Sequence, residues 1–308
     1  MVNAVRVYEK DVAYENGRGF CGTLILLRIR SEKEQDMKYI FLDIDGTLFD
    51  HSTFRIPQSA YKAVELAKAA GHRIFICTGR SCCMLDHVNQ VNYDGVVAAA
   101  GAYVETQGKI LYEECIDNVE LQQFLSYCRK YGVNYILEGN KGVYMDAGIR
   151  EYFQGGEGKQ PSMHNFFKQK MVYGEADYDP EAERIYKFCL YASEPDSLPK
   201  VEERVSEQFH FVYGTTNEEH PLFNAEVTLE KNNKATGIEK ILDYYGGSKE
   251  DTLAAGDSMN DLEMLQECHI GIAMGNADER LKPYADYITA DIGDDGIYKA
   301  FEHYGLLA

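Results

Sequence analysis

The stretch "YIFLDIDGTLFD", Tyr39 to Asp50, restricts the possible folds of this chain more than any other. Its apolar opening, Tyr39 to Leu42, reads as a strand buried on both faces, and such strands belong to sheets covered by helices on either side. The run then delivers two carboxylates, Asp43 and Asp45, with Gly46-Thr47 directly behind them. Burying carboxylates is costly unless a cation or hydrogen-bond donors compensate. The end of this strand therefore needs a partner from elsewhere in the chain.

From Met37 onward, strand and helix patterns alternate. "IPQSAYKAVELAKAAG" reads as a helix with Pro57 in its first turn, Ala60, Val64 and Ala67 along one face and Gly71 at its end. "HRIFICTGR" is a buried strand running into a loop, "SCCMLDHVNQV" is expected to be a helix, and "GVVAAAG" is a third strand. "AYVETQGKILYEECI" reads as a hairpin turning at Gln107-Gly108. This order implies the α/β class: a Rossmann-like, doubly wound parallel sheet.

The character changes near Asp117. Residues 118–222 mix helices ("VELQQFLSYCRKYG", "SLPKVEERVSEQF") with strands ("NYILEGNKGVYMD", "ERIYKFCLYA", "FHFVYG") and a polar stretch, "FQGGEGKQPSMHN", that reads as a loop. They are expected to form an inserted α+β domain, the core being 37–117 and 223–308. A chain of 308 residues exceeds what one hydrophobic core usually serves, so two domains are the natural expectation. Met37 stands just before the first strand, as a translation start often does, and residues 1–36 are expected to be an extension the fold does not need.

Fifty acidic against 31 basic residues give a formal charge of −19. That field repels nucleic acid and anionic lipid, so neither is an expected partner. A phosphorylated substrate would be repelled as well, unless its site carries local positive charge. Eight cysteines include no C-x-x-C, and several lie in apolar runs, which suits reduced thiols in a cytoplasmic protein. "GTLILLRI" is too short to span a membrane and is interrupted by Arg28, and no signal-peptide pattern opens the chain.

Three further segments carry chemistry. "GDSMND", Gly256 to Asp261, follows a buried strand and brings Asp257 and Asp261 to what should be the same sheet edge as Asp43 and Asp45. A turn would explain Asp-Gly and a helix cap would explain one acid, but carboxylates converging from two strands suit a hard divalent cation such as Mg²⁺. "FICTGR" ends a strand with Thr78 and Gly79, a hydroxyl and free backbone N–H groups of the kind that bind anions. Lys234 in "NNKATG" heads a helix and could supply a point charge to a phosphate.

D-x-D-G-T-L, T-G-R, a lysine and G-D-S-x-N-D, in that order, resemble the haloacid dehalogenase superfamily of phosphohydrolases. "GIAMGNA", residues 271–277, is similar to a stretch of its Cof-type sugar-phosphatase branch, in which a mixed α/β cap is inserted between the second and third motifs. The resemblance covers essentially Met37 to Ala308. It implies Asp43 as nucleophile and Asp45 as proton donor and acceptor. It further implies Mg²⁺ on the Asp43 carboxylate, the Asp45 carbonyl and Asp257, with Asp261 behind them, and a phosphoryl group held by Thr78, Gly79, Lys234 and Asn260. Aspartate at position 45 implies phosphomonoester hydrolysis or, alternatively, phosphosugar mutase chemistry; a silent phosphosugar-binding module would be expected to lack one of these acids. Ala100, Ala235 and Ser81 stand where relatives often carry asparagine, glycine and proline. The small phosphorylated metabolite itself is not encoded in a readable motif, nor is the oligomeric state.

Lys187 is a charge inside the apolar strand "RIYKFCLYA", on the face of Ile185, Cys189 and Tyr191. It is expected to snorkel to solvent, with substrate contact as the alternative. Tyr135, Tyr144, Tyr152 and Tyr186 are expected mostly as packing residues, and His72, His164 and His220 as ordinary polar groups.

Overall fold

The structure, a computed structural model, describes residues 37–154, 171–214, 216 and 221–308. The expectations for residues 1–36, for the loop from Gly155 onward and for His164 and His220 lie outside these. The core sheet runs in the order β14 (Tyr287–Ile288), β13 (Ile270–Ala273), β12 (Thr252–Gly256), β1 (Tyr39–Leu42), β2 (Arg73–Cys77), β3 (Gly95–Ala98), β4 (Tyr103–Thr106) and β5 (Lys109–Glu113). Strands β14 to β3 are parallel, and β4 and β5 close the edge as an antiparallel hairpin. Its turn sits at Gln107 and Gly108, both at positive φ as a two-residue hairpin turn requires.

Every residue of β1 is buried, so both faces of the sheet are covered. Helix α1 (Gln58–Ala69) buries Ala60, Ala63, Val64 and Ala67. It packs against α7 (Gly296–His303), while α5 (Lys234–Tyr245) packs against α6 (Leu262–Glu267). Because β2 lies on one side of β1 and β12 on the other, the carboxyl end of β1 is the point where the strand order reverses, and open α/β sheets bind ligands there. "SCCMLDHVNQV" is not a helix. It forms two short 3₁₀ turns, Cys82–Met84 and Asp86–Val88. Cysteine, histidine, valine and asparagine are mediocre helix formers, and the Cys82 and Cys83 thiols turn instead to the carbonyls of Asn140 and Gly139.

The second sheet has the order β10 (Phe209–Tyr213), β11 (Phe223–Leu229), β9 (Ile185–Ala192), β6 (Asn134–Gly139), β7 (Val143–Met145) and β8 (Val172–Gly174). One face carries Tyr135, Leu137, Phe188, Leu190 and Val227, packed against Phe124 of α2 (Asn118–Tyr131) and Val201 of α4 (Ser197–Val205). α2 is capped at Asp117, whose carboxylate accepts from the Val119 N–H, and stopped at Gly132 at φ 67. A further helix, α3 (Ala147–Gln154), follows β7.

Phe223–Leu229 corrects the sequence expectation. It pairs antiparallel with β9 and β10, so this strand belongs to the cap sheet and not to the core. The signal was its period. "FNAEVTL" alternates, with Ala225, Val227 and Leu229 buried in the cap core and Glu226 and Thr228 on the other side, whereas core strands are unbroken apolar runs. Tyr135, Tyr144 and Tyr186 are buried packing residues, and Tyr152 packs into the Met84–Ile136–Met145 cluster. Among the described residues, no helix is long and apolar enough to cross a membrane, and the described cysteines are free thiols.

Candidate active site

β1 and β12 lie side by side in parallel register, Leu42 opposite Ala255, so Asp43 and Asp257 leave the sheet at the same edge. One oxygen from each of Asp43, Asp257 and Asp261 lies within 4.8 Å of the others. Lys234, fully buried as the first residue of α5, puts Nζ 2.6 Å from Asp43 Oδ1 and 2.5 Å from Asp261 Oδ1. Its position is fixed by Asn233, which caps the helix by accepting from the Thr236 N–H. Burial works against the ammonium charge, but Asp261 and Asp43 raise its pKa well above the ordinary lysine value.

Asp261 is already committed. Its Oδ2 accepts from the backbone N–H groups of Asp257 and Ser258, and its Oδ1 holds Lys234. It shapes the loop and orients the lysine. Asp257 has the opposite character: its buried Oδ1 has no hydrogen-bond partner. Burial first, then the neighbouring carboxylates of Asp43 and Asp261, push the Asp257 carboxyl upward. Asp43 is pushed upward for the same first reason, against the pull of Lys234. An orphaned acidic oxygen beside a second buried carboxylate is the donor set of a hard cation, so the residues present fit a divalent metal. Gly46, at φ +74, makes room for the Asp257 carboxylate: a Cβ there would stand 2.0 Å from Asp257 Oδ2.

The Asp45 carboxylate points elsewhere. Arg80 grips both of its oxygens, Nε to Oδ2 at 2.7 Å and Nη2 to Oδ1 at 2.6 Å, and His51 Nε2 donates to Oδ1 at 2.6 Å. Burial alone would raise the Asp45 carboxyl, but hydrogen bonds from His51 and Arg80 outweigh it and hold the group well below the usual range. Arg80 Nη1 also donates to Nδ1 of His87 and to the Met84 carbonyl. Sequence reasoning missed Arg80, His51 and His87. Arg80 stood inside the quoted "TGR", and the signal would have been that a carboxylate at a strand end needs a fork-shaped donor.

Thr78 and Gly79 follow β2 as expected. Thr78 is buried, and its hydroxyl accepts from the Arg80 N–H. Ala99 and Ala100 both sit in the left-handed region, at φ 48 and 51, and the Ala100 N–H donates to the Thr78 carbonyl. Asn260 is brought to this loop: its Nδ2 would lie 3.3 Å from a Cβ on Gly79. Lys187 does not snorkel. It is 2% exposed, donates to the Gly79 carbonyl at 3.0 Å and pairs with Glu226 at 3.0 Å. Lysine stems reach solvent only when it is nearer than a partner, and here the cap sheet faces the core loop. Ser81 is likewise used, its hydroxyl donating to Glu138 of the cap at 3.2 Å.

The sequence profile of haloacid dehalogenase-like hydrolases matches residues 40–301. The chain belongs to this family. Among haloacid dehalogenase-like relatives, the 5-amino-6-(5-phospho-D-ribitylamino)uracil phosphatase YitU of Bacillus subtilis is 28% identical over 274 residues, 86% of this chain and 96% of its own. The pyridoxal phosphate phosphatase YbhA of Escherichia coli is 25% identical over 272 residues, 84% of this chain and 96% of its own. The solved structure of the subclass IIB sugar phosphatase BT4131 superposes with a TM-score of 0.73 at 29% identity, covering 88% of this chain and 100% of that one. The parallel core sheet and inserted mixed cap sheet match that subclass, and the chain is a haloacid dehalogenase-type phosphatase acting on small phosphomonoesters.

Proposed function

We propose that the protein is a Mg²⁺-dependent phosphatase of sugar phosphates, working through an aspartyl-phosphate on Asp43. The observation that carries this reading is the buried Lys234 bridging Asp43 and Asp261 beside the unpartnered Asp257 oxygen. It supplies the local positive charge and cation site that a phosphate needs in a chain of charge −19.

Asp43, the Asp45 backbone carbonyl and Asp257 would hold the Mg²⁺, which when bound neutralises charge on the transferring phosphoryl group. Lys234 holds Asp43 Oδ1, so Oδ2 is the oxygen that attacks phosphorus. As that bond forms, the bond from phosphorus to the leaving oxygen breaks. Asp45, ionised while Arg80 holds both its oxygens, must leave that grip and take up a proton before it passes that proton to the leaving alcohol. Asp45 then takes a proton from water, whose oxygen attacks phosphorus and frees Asp43. Thr78, Gly79, Lys234 and Asn260 hold the phosphoryl oxygens, so most of the rate comes from positioning and charge. A cytoplasmic setting goes with this reading, because cysteines in apolar runs such as those of Cys77 and Cys189 suit reduced thiols.

With Mg²⁺ and p-nitrophenyl phosphate, Asp43→Asn should abolish phosphate release while circular dichroism stays native. Turnover by that variant, or full activity in EDTA, would refute the nucleophile or the metal role respectively.

A further inference from the structure

The strand register places Glu138 on β6, Lys187, Cys189 and Tyr191 on β9, and Asn224 and Glu226 on β11 on the cap face opposite the aromatic core. That face meets the phosphate loop. Lys187 reaches the Gly79 carbonyl, Ser81 reaches Glu138, and Asn260 Nδ2 lies 3.4 Å from Glu226 Oε2.

The three charged groups on this face differ in one respect. The side chains of Lys187 and Glu138 are 2% and 9% exposed, whereas that of Glu226 is 37% exposed. Lys187 is one ammonium for two carboxylates, so the face keeps an excess negative charge. Glu226 Oε2 is taken by Lys187 and Asn260, and among the described residues no hydrogen bond is made to Oε1. Burial opposes the charge on Glu226, but Lys187 and Asn260 keep its pKa below the ordinary value, so it is an acceptor at neutral pH.

We propose that Glu226 reads the leaving group, accepting a hydrogen bond from a hydroxyl on a carbon next to the ester. This rests on the phosphatase reading and names its specificity residue. A Cβ on Gly79 would stand 3.2 Å from Glu226 Oε2, so the first carbons beyond a phosphoryl group held by Gly79 and Asn260 pass this carboxylate. The nearby cations are already committed, Lys187 to Glu226 and Gly79, and Arg80 to Asp45. A leaving group bearing a second phosphate or a carboxylate meets repulsion there, while a neutral polyol meets an unshared oxygen.

The test compares glycerol 1-phosphate with n-propyl phosphate, which lacks only the hydroxyls, in the full chain with Mg²⁺. A hydrogen bond to a charged group is worth roughly tenfold or more in discrimination. Glu226→Gln should collapse the ratio of the two kcat/KM values about tenfold, chiefly by slowing the polyol ester. Glu226→Asp, which keeps the charge, should restore part of the ratio and serves where the glutamine variant folds poorly. An equal fall on both esters would overturn the assignment and leave Glu226 a positioning residue of the cap. Failure of the unaltered chain to hydrolyse p-nitrophenyl phosphate would instead overturn the phosphatase reading, and this one with it.

Discussion

The Arg80 guanidinium meets the Asp45 carboxylate as two parallel bonds of 2.7 and 2.6 Å, a fork on both oxygens. The pair joins two strands: Asp45 leaves β1 and Arg80 leaves β2. It positions the Asp45 carboxylate and holds it ionised, the form that takes the proton from water in the second half of the proposed reaction. Arg80→Ala should lower kcat about 100-fold, the range for a misplaced general base, with little change in Mg²⁺ affinity. Arg80→Lys should recover little, because an ammonium cannot hold two oxygens at once. Steady-state kinetics across a Mg²⁺ titration checks both. Wild-type kcat in Arg80→Lys would show that charge alone suffices.

Stability without metal should fall as pH rises. Asp43 and Asp257 are both pushed above the ordinary carboxylate value, burial being the first cause in each. Such groups bind more protons folded than unfolded, so stability is highest below the unfolded carboxylate pKa, near about 4, and is lost as pH climbs through the raised folded values. A cation on these oxygens removes the penalty. Mg²⁺ should therefore raise Tm more at about pH 8 than at about pH 5, and its binding should release protons. Differential scanning calorimetry and titration calorimetry in buffers of different ionisation heat measure the two effects. A Mg²⁺ shift equal at both pH values would contradict the raised carboxyls.

Gly46→Ala should disarm the cation site without replacing a carboxylate. A Cβ would stand 2.0 Å from Asp257 Oδ2, and φ +74 adds about 1 kcal/mol of backbone strain. The carboxylate must swing away, so Mg²⁺ affinity should drop at least about tenfold, as for a displaced ligand shell. Asp257→Asn should give a similar loss. Unchanged affinity in both variants would remove Asp257 from the metal site.

Lys187→Met should destabilise the protein by about 3 kcal/mol, the lower end for a broken buried pair because Glu226 keeps contact with solvent. Adding Glu138→Gln should return part of that loss, since one of the two stranded charges is removed. Urea denaturation of the single and double variants measures the coupling. Strict additivity would mean that Lys187 and Glu138, 4.0 Å apart, do not interact.

Much of this was legible because unbroken apolar strands ending in acids have few homes. β1, β2 and β12 are adjacent strands of one parallel sheet, and Asp43, Asp257 and Lys234 come together at its carboxyl edge. What escaped was set by tertiary contact. Lys187 looked solvent-bound because the Gly79 carbonyl that holds it is 108 positions away. The grip of Arg80 on Asp45 spans 35 positions. β11 belongs to the cap sheet although a core helix follows it, and its alternation is the one local mark of that place.

Ala100 offers a test of backbone strain near the site. With Ala99 it occupies the left-handed region, φ 51 and ψ 44 at Ala100, where a Cβ crowds the following carbonyl. Each such alanine costs about 1 kcal/mol relative to glycine, partly offset by glycine's freedom in the unfolded chain. The turn persists because its Ala100 N–H ties the end of β3 to the Thr78 carbonyl. Ala100→Gly should therefore raise stability by about 0.5 kcal/mol, and Ala100→Val should lower it by more than about 1 kcal/mol, since β-branching worsens the same clash. Urea midpoints at constant slope read both changes. Stabilisation by valine would show that the strain does not lie at this residue.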